Sequence, residues 1–360
     1  MLKIDNYIKL WLWTGIFLIV LMMVVGGITR LTGSGLSIVE WNVISGTIPP
    51  ITDAQWQHAF DLYKQFPQYQ KLNYGMDMGQ FKQIFFWEYI HRLLGRFIGI
   101  VFLIPFLFFY FSRKLPKPLI KKLLVIFLLG ALQGFMGWYM VKSGLKDNPH
   151  VSHFRLAIHQ GLALLLIASI LWAILTLHNN KKSSGDNRSS MLLIPYASLI
   201  LLSLQITLGA FVAGLKAGFS YINFPFMGDS FFPSASVMKV EPYFYNGVML
   251  QFTHRWLAFV VFFSFLWILK ISKPYPEVRK YAQVLIVIGI MQIILGITTL
   301  MLRVPLALGV IHQFIAIILL MLLIKIIYAI RYPIDITNNE TGSTHRSIKS
   351  PGVKTLTGHS

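Results

Sequence analysis

Eight uninterrupted apolar runs dominate this 360-residue chain, near Ile8–Ile28, Phe85–Phe111, Leu119–Val141, Phe154–Leu177, Met191–Leu215, Val248–Leu269, Tyr281–Leu302 and Val304–Tyr328. The hydrocarbon core of a bilayer takes about 20 apolar residues in helical form, and every backbone N–H and C=O inside it has to be bonded within the protein. Continuous runs of this length predict helices, because the strands of a membrane barrel would instead alternate apolar and polar residues. With 55% hydrophobic and 12% charged residues, the chain cannot be an ordinary soluble domain. The expected fold is an all-α integral membrane protein with eight transmembrane helices.

The formal net charge of +19 would suggest nucleic acid in a soluble protein. Here it sorts by loop. If both termini are cytoplasmic, that side carries 19 of the 32 Lys and Arg residues, while the opposite loops carry fewer over longer segments. The positive-inside rule then fixes the orientation. No basic stripe with interleaved aromatics is left for nucleic acid, so none is expected as a partner. The chain has no cysteine, which removes disulfides from the long outer loops, about Thr29–Ile84 and Lys216–Gly247, and removes thiolates as metal ligands. The first apolar run begins too early for a transit peptide and is long for a signal-peptide core, so a bacterial inner membrane is the expected location. The polar segment from Pro333 to Ser360 reads as a disordered cytoplasmic tail.

The chain is written twice. GGITRLTGSGLSIVEWNVISGTIPP aligns with GAFVAGLKAGFSYINFPFMGDSFFP, pairing Gly35 with Gly218, Ser37 with Ser220 and Pro50 with Pro233. EYIHR at Glu88–Arg92 aligns with QFTHR at Gln251–Arg255, Gln133 with Gln292, and AIHQ at Ala157–Gln160 with VIHQ at Val310–Gln313. Each half holds four helices, and an even number returns the chain to the same side. Two tandem four-helix bundles related by a pseudo-two-fold axis along the membrane normal are therefore expected. The boundaries are 1–185 for the first bundle, 186–332 for the second and 333–360 for the tail.

The repeat places His91, His159, His254 and His312 on helices two, four, six and eight. Each falls about five to eight residues after its helix enters from the outer side, about 8–12 Å deep at 1.5 Å per residue. A single transmembrane histidine commonly serves as an interhelical hydrogen-bonding residue. Four at one level, in repeat-equivalent pairs, point instead to ligands facing each other across a bundle. Zinc fits less well, because two imidazoles per half without cysteine or a second carboxylate leave its coordination open. Two axial imidazoles between apolar walls suit a low-spin b-type heme. Arg92 and Arg255, beside the ligand candidates, and Arg96 one turn further on, are candidates for the heme propionates, against the alternative of snorkelling to the interface. His58, His150, His153 and His178 read as ordinary interfacial polar residues.

The two halves differ at one informative position. Glu88 precedes His91 by one turn, and its counterpart before His254 is Gln251. A carboxylate can take up a proton or stabilise a developing positive charge, and an amide can do neither. The simpler reading of Glu88 is a charge complementing the positive end of helix two. The asymmetry suggests one half that reacts and one that carries electrons.

These motifs together resemble the heme A synthases, specifically the cysteine-free branch of α-proteobacteria and mitochondria. The resemblance runs from about Trp11 to Tyr332 and rests on GGITRLTGSGLSIVEW with GTIPP, FKQIFFWEYIHRLLGR, HFRLAIHQG, AGLKAGFSYINFPFM, and the THR and IHQ histidines of the second half. It implies oxidation of the C8 methyl group of heme O to the formyl group of heme A for cytochrome oxidase. It further implies substrate heme held by His91 and His159 with Glu88 at the reacting edge, and a permanent heme b held by His254 and His312. Expected partners are heme O delivered by a heme O synthase, an electron acceptor that no motif identifies, the lipid bilayer, and a second copy of the chain. The competing reading is a quinol-linked diheme b-type electron-transfer protein, in which neither heme is altered. A transporter is disfavoured because the polar residues cluster at the outer level and no helix is broken at mid-membrane.

Overall fold

The computed structural model describes residues 2–41, 45–144, 151–177 and 187–333. His150, His178, the boundary near residue 185 and the tail beyond 333 lie outside them. Eight long helices are numbered α1 to α8 in chain order: Leu2–Leu31, Met78–Phe111, Lys117–Gly144, His153–Thr176, Leu193–Gly214, Gly247–Ile271, Pro276–Met301 and Leu306–Arg331. All eight are long and apolar enough to cross a bilayer, so this is a multi-pass membrane protein.

In each half four helices close a ring. α1 packs on α2, α2 on α3, α3 on α4 and α4 back on α1, and α5 to α8 repeat the circuit. The two rings meet along α1, α4, α5 and α8. Their buried core follows from that arrangement, with Ile8, Leu12 and Ile16 of α1, Ile167, Ile170 and Leu171 of α4, and Leu320, Leu323 and Ile324 of α8. Large apolar side chains such as Phe108, Phe111, Leu128 and Phe135 point outward, as expected when the surrounding solvent is hydrocarbon.

α2 starts at Met78 rather than at Phe85, where its apolar run begins. Asp77 caps it by accepting from the Gln80 amide at 2.8 Å, and the Gln80 side chain accepts from the Asp77 amide at 3.1 Å. This reciprocal capping box satisfies two otherwise orphaned donors. The extra turns bring Phe81 and Phe85 into an aromatic cluster with Phe60 and Tyr63. Phe60 stacks on Phe81 at 4.8 Å and Trp56 meets Phe85 edge-on at 5.0 Å. The partners come from a short helix, Asp53–Lys64, itself started by a Thr52–Gln55 capping box. Gln68, which accepts from the Tyr63 hydroxyl, donates to the Gly33 carbonyl at 2.7 Å. Gly33 turns the chain out of α1 with a φ of +69°, a conformation glycine adopts without steric cost. The first outer loop is thus a packed cap on the helices.

Candidate functional site

His91 and His159 stand on helices of the first ring, and His254 and His312 on helices of the second. The structure therefore brings together the two pairs expected from the repeat. All four rings are half-buried. His159, His254 and His312 sit about two turns into their helices, whereas His91 sits further along α2, because that helix begins at Met78, ahead of its apolar run.

Each ring rests against a glycine of the preceding odd-numbered helix. A Cβ placed on Gly26 would lie 3.2 Å from His91, on Gly137 3.2 Å from His159, on Gly209 3.0 Å from His254, and on Gly296 2.8 Å from His312. Any larger residue would push the imidazole aside. Glycine lets two helices approach closely enough for the ring to project into the bundle. One turn before three of these glycines stands a glutamine. Gln205 donates to the His254 carbonyl at 2.9 Å and Gln292 to the His312 carbonyl at 3.0 Å, while the Gln133 amide stands 3.4 Å from Nε2 of His159. The corresponding residue before Gly26 is Met22. The repeat alignment could have revealed these glycines and glutamines, but only the structure shows what they touch.

Above the histidines, two arginines bind the outer loops in the same way. Arg92 donates from Nη2 to the Ile38 carbonyl at 2.6 Å and from Nη1 to the Glu40 carbonyl at 3.0 Å. Arg255 donates from Nη2 to the Tyr221 carbonyl at 2.5 Å and from Nη1 to the Asn223 carbonyl at 2.9 Å. These carbonyls are repeat-equivalent. Both guanidinium groups, expected at heme propionates, are in large part committed to the loops, although Nε of Arg255 is buried without a partner. The Arg92 guanidinium also covers the Trp41 ring at 4.7 Å. Arg96 lies one turn further along α2, half-buried.

At the position where the halves diverge, the loops diverge with them. Glu88 is only 3% exposed, and its Oε2 accepts from the Ser37 amide at 2.6 Å, the Ser37 hydroxyl at 2.8 Å and the Ile38 amide at 2.9 Å. Its Oε1 accepts from Nη2 and Nε of Arg92 at 2.7 and 3.1 Å. Five donors converge on this carboxylate. Gln251, 2% exposed, meets the second loop with the opposite polarity and donates its amide to the Tyr221 carbonyl at 2.9 Å. The first loop turns N–H groups toward an acceptor, and the second turns a C=O toward a donor.

Of the remaining histidines, His58 is exposed on the short loop helix, as an interfacial residue would be. His153 departs from that expectation. It is 6% exposed at the start of α4, packed among Phe154, Phe211 and Tyr245.

Among the described residues no three His, Asp or Glu side chains converge as a metal cluster. The donor set offered in each half is two apposed imidazoles. With a glycine making room for each ring, these imidazoles would suit as the residues that hold a heme iron.

The family described as "Cytochrome oxidase assembly protein" (COX15-CtaA) matches residues 9–324. The chain is 44% identical over 319 residues to a protein named "Heme A synthase" of Nitrosospira multiformis, covering 86% of this chain and 89% of that one. It is 43% identical to the protein of that name in Flavobacterium johnsoniae, over 89% of this chain and 96% of the relative. The Rickettsia felis protein of that name is 42% identical, over 91% and 99%. Matched along most of its length by a single family and by close relatives within it, this chain belongs to the cytochrome oxidase assembly protein family.

Proposed function

We propose that this protein is a heme A synthase, an oxidoreductase that converts the C8 methyl group of heme O to a formyl group. The observation that carries this reading is the carboxylate present beside one of two repeat-related histidine pairs and absent beside the other. Paired imidazoles cradled by glycines occur in both halves, but only the first has a carboxylate, Glu88, beside them. We assign residues 1–185 to the substrate half and 186–332 to the electron-carrying half, with 333–360 as a cytoplasmic tail. Heme O would be held by His91 and His159, and heme b by His254 and His312, where it supplies a route for electrons when bound.

Two successive two-electron oxidations of a methyl carbon, each adding the oxygen of one water and passing two electrons and two protons to an external acceptor, would give an alcohol and then a geminal diol, which loses water to become the aldehyde. Each oxidation builds positive charge at the porphyrin edge. A fixed anion nearby stabilises that charge, and preorganisation means that nothing has to reorient as it develops. Glu88 fits this role better than that of a proton acceptor, because its five donors match the ionised carboxylate and hold it still. Arg92 and Arg255 act as positioning residues that fasten the outer loops over the two sites. Arg96 keeps the assignment to a substrate propionate.

The distribution of Lys and Arg supports placement in a bacterial inner membrane with both termini cytoplasmic and the heme sites toward the periplasm. Delivery of heme O by a heme O synthase, and self-association, belong to the same proposal. The deciding experiment is acid extraction and chromatography of the hemes in the purified protein. Heme O or heme A beside heme B is expected. Heme B alone would favour a diheme electron carrier.

A further inference from the structure

The four histidines are not held equally. In the second half, Gln205 and Gln292 reach across from α5 and α7 to hydrogen-bond the backbone carbonyls of His254 and His312, and Nδ1 of His254 also meets the Gln205 carbonyl at 3.1 Å. Each bond pins the level of the histidine-bearing helix against its neighbour. In the first half, Gln133 of α3 brings its amide to the His159 ring. Oε1 of all three glutamines is buried without a partner. The bonds of Gln205 and Gln292 run to backbone carbonyls, so they fix the helix that carries each histidine rather than its ring, and the Gln205 carbonyl alone meets a ring Nδ1.

His91 lacks this arrangement. One turn before its glycine stands Met22, whose terminal methyl lies 3.3 Å from the position of a Cβ on Gly95 of α2. A thioether packs adaptably and offers no strong hydrogen bond. The ring differs too, since His91 turns Nε2 toward Gly26 whereas the other three turn Cε1 toward their glycines.

A synthase must release its product after each turnover while keeping its electron-carrying heme, so both imidazoles of the substrate heme have to let go, and one of them opens first. We propose that Met22 makes His91 the first ligand of the substrate heme to open, and that Gln133, Gln205 and Gln292 hold the elements carrying the other three histidines in place. The inference rests on the heme assignment above and adds to it which ligand opens.

The test uses the full-length protein in detergent, loaded with heme O and heme B, and follows heme transfer to apomyoglobin by absorbance. Met22→Gln is expected to slow release of heme O about tenfold, the scale of one added hydrogen bond, and to shift the low-spin electron paramagnetic resonance signal of that heme alone. Gln292→Met is expected to speed release of heme B by a similar factor and leave heme O unchanged. Met22→Leu, which adds no donor, should behave as wild type. Unchanged heme O release in a folded Met22→Gln protein would overturn the proposal, as would unchanged heme B release in Gln292→Met. Should Met22→Gln fail to fold, the Gln292→Met result decides. A wild-type protein that binds no heme O would instead overturn the heme assignment, and the inference with it.

Discussion

Glu88 and Arg92 form an ion pair at 2.7 Å on one face of α2, and both side chains reach the same loop segment, residues 37–40. The arginine binds its carbonyls and the glutamate its amides. The pair therefore flanks His91 in the sequence of α2 and at the same time fastens the first loop.

Replacing Glu88 by Gln is expected to lower formation of the aldehyde by about 10²–10³-fold, the scale of losing one preorganised electrostatic group. The amide would also set N–H groups against Arg92, because the donors of Ser37 and Ile38 compete for the one remaining oxygen. Leaving a buried charge unpaired costs about 3–5 kcal/mol, so the loop should loosen. Heme analysis is expected to show accumulated heme O or its alcohol, and limited proteolysis faster cleavage near residues 37–41. Wild-type heme A production would reduce Glu88 to a loop anchor.

The reciprocal change, Gln251→Glu, places a carboxylate oxygen against the Tyr221 carbonyl that now accepts at 2.9 Å. We expect a loosened second loop and no formyl group on the second heme. The measurements are proteolysis at residues 219–226 and mass analysis of the extracted heme B.

His254→Ala and His312→Ala should each lower bound heme b severalfold, because removing one axial imidazole opens the low-spin site. Pyridine hemochrome quantification distinguishes the hemes. Heme O binding in the first half should persist, whereas His159→Ala should show the reverse pattern. Undiminished heme b in both second-half variants would remove the assignment of that half.

Gly296→Ala separates packing from propensity. Alanine is favoured in a helix by about 1 kcal/mol over glycine, so without contact at this position the protein should gain stability and keep its heme. The structure puts the new Cβ 2.8 Å from the His312 ring, and we expect most heme b to be lost while the protein remains helical by circular dichroism. Gly137→Ala should do the same to heme O.

Asp77→Ala removes the cap of α2 and should cost about 1 kcal/mol. The turn carrying Phe81 would fray, exposing the loop cluster of Phe60 and Tyr63. Faster proteolysis between residues 52 and 82, at nearly unchanged heme b content, is the expected result.

The sequence by itself determined the number of spanning helices, the sorting of positive charge, the tandem repeat, the four histidines and the exchange of Glu88 for Gln251. These features depend on run length, composition and self-similarity, all of which are local or countable. Tertiary structure decided the rest. Lipid and protein interior are both apolar, so the pattern of a spanning helix does not say which face turns inward, and nothing local marked Gly26 or Gly209 as facing a histidine. The true start of α2 depended on a cap and an aromatic cluster contributed by a distant loop. Whether Ser37 and Ile38 offer amides, or Tyr221 a carbonyl, to the residue one turn before the histidine was set by how each loop folds back on its bundle. Backbone polarity at such a contact is fixed by dihedral angles along the whole loop, and side-chain identity at one position does not encode it.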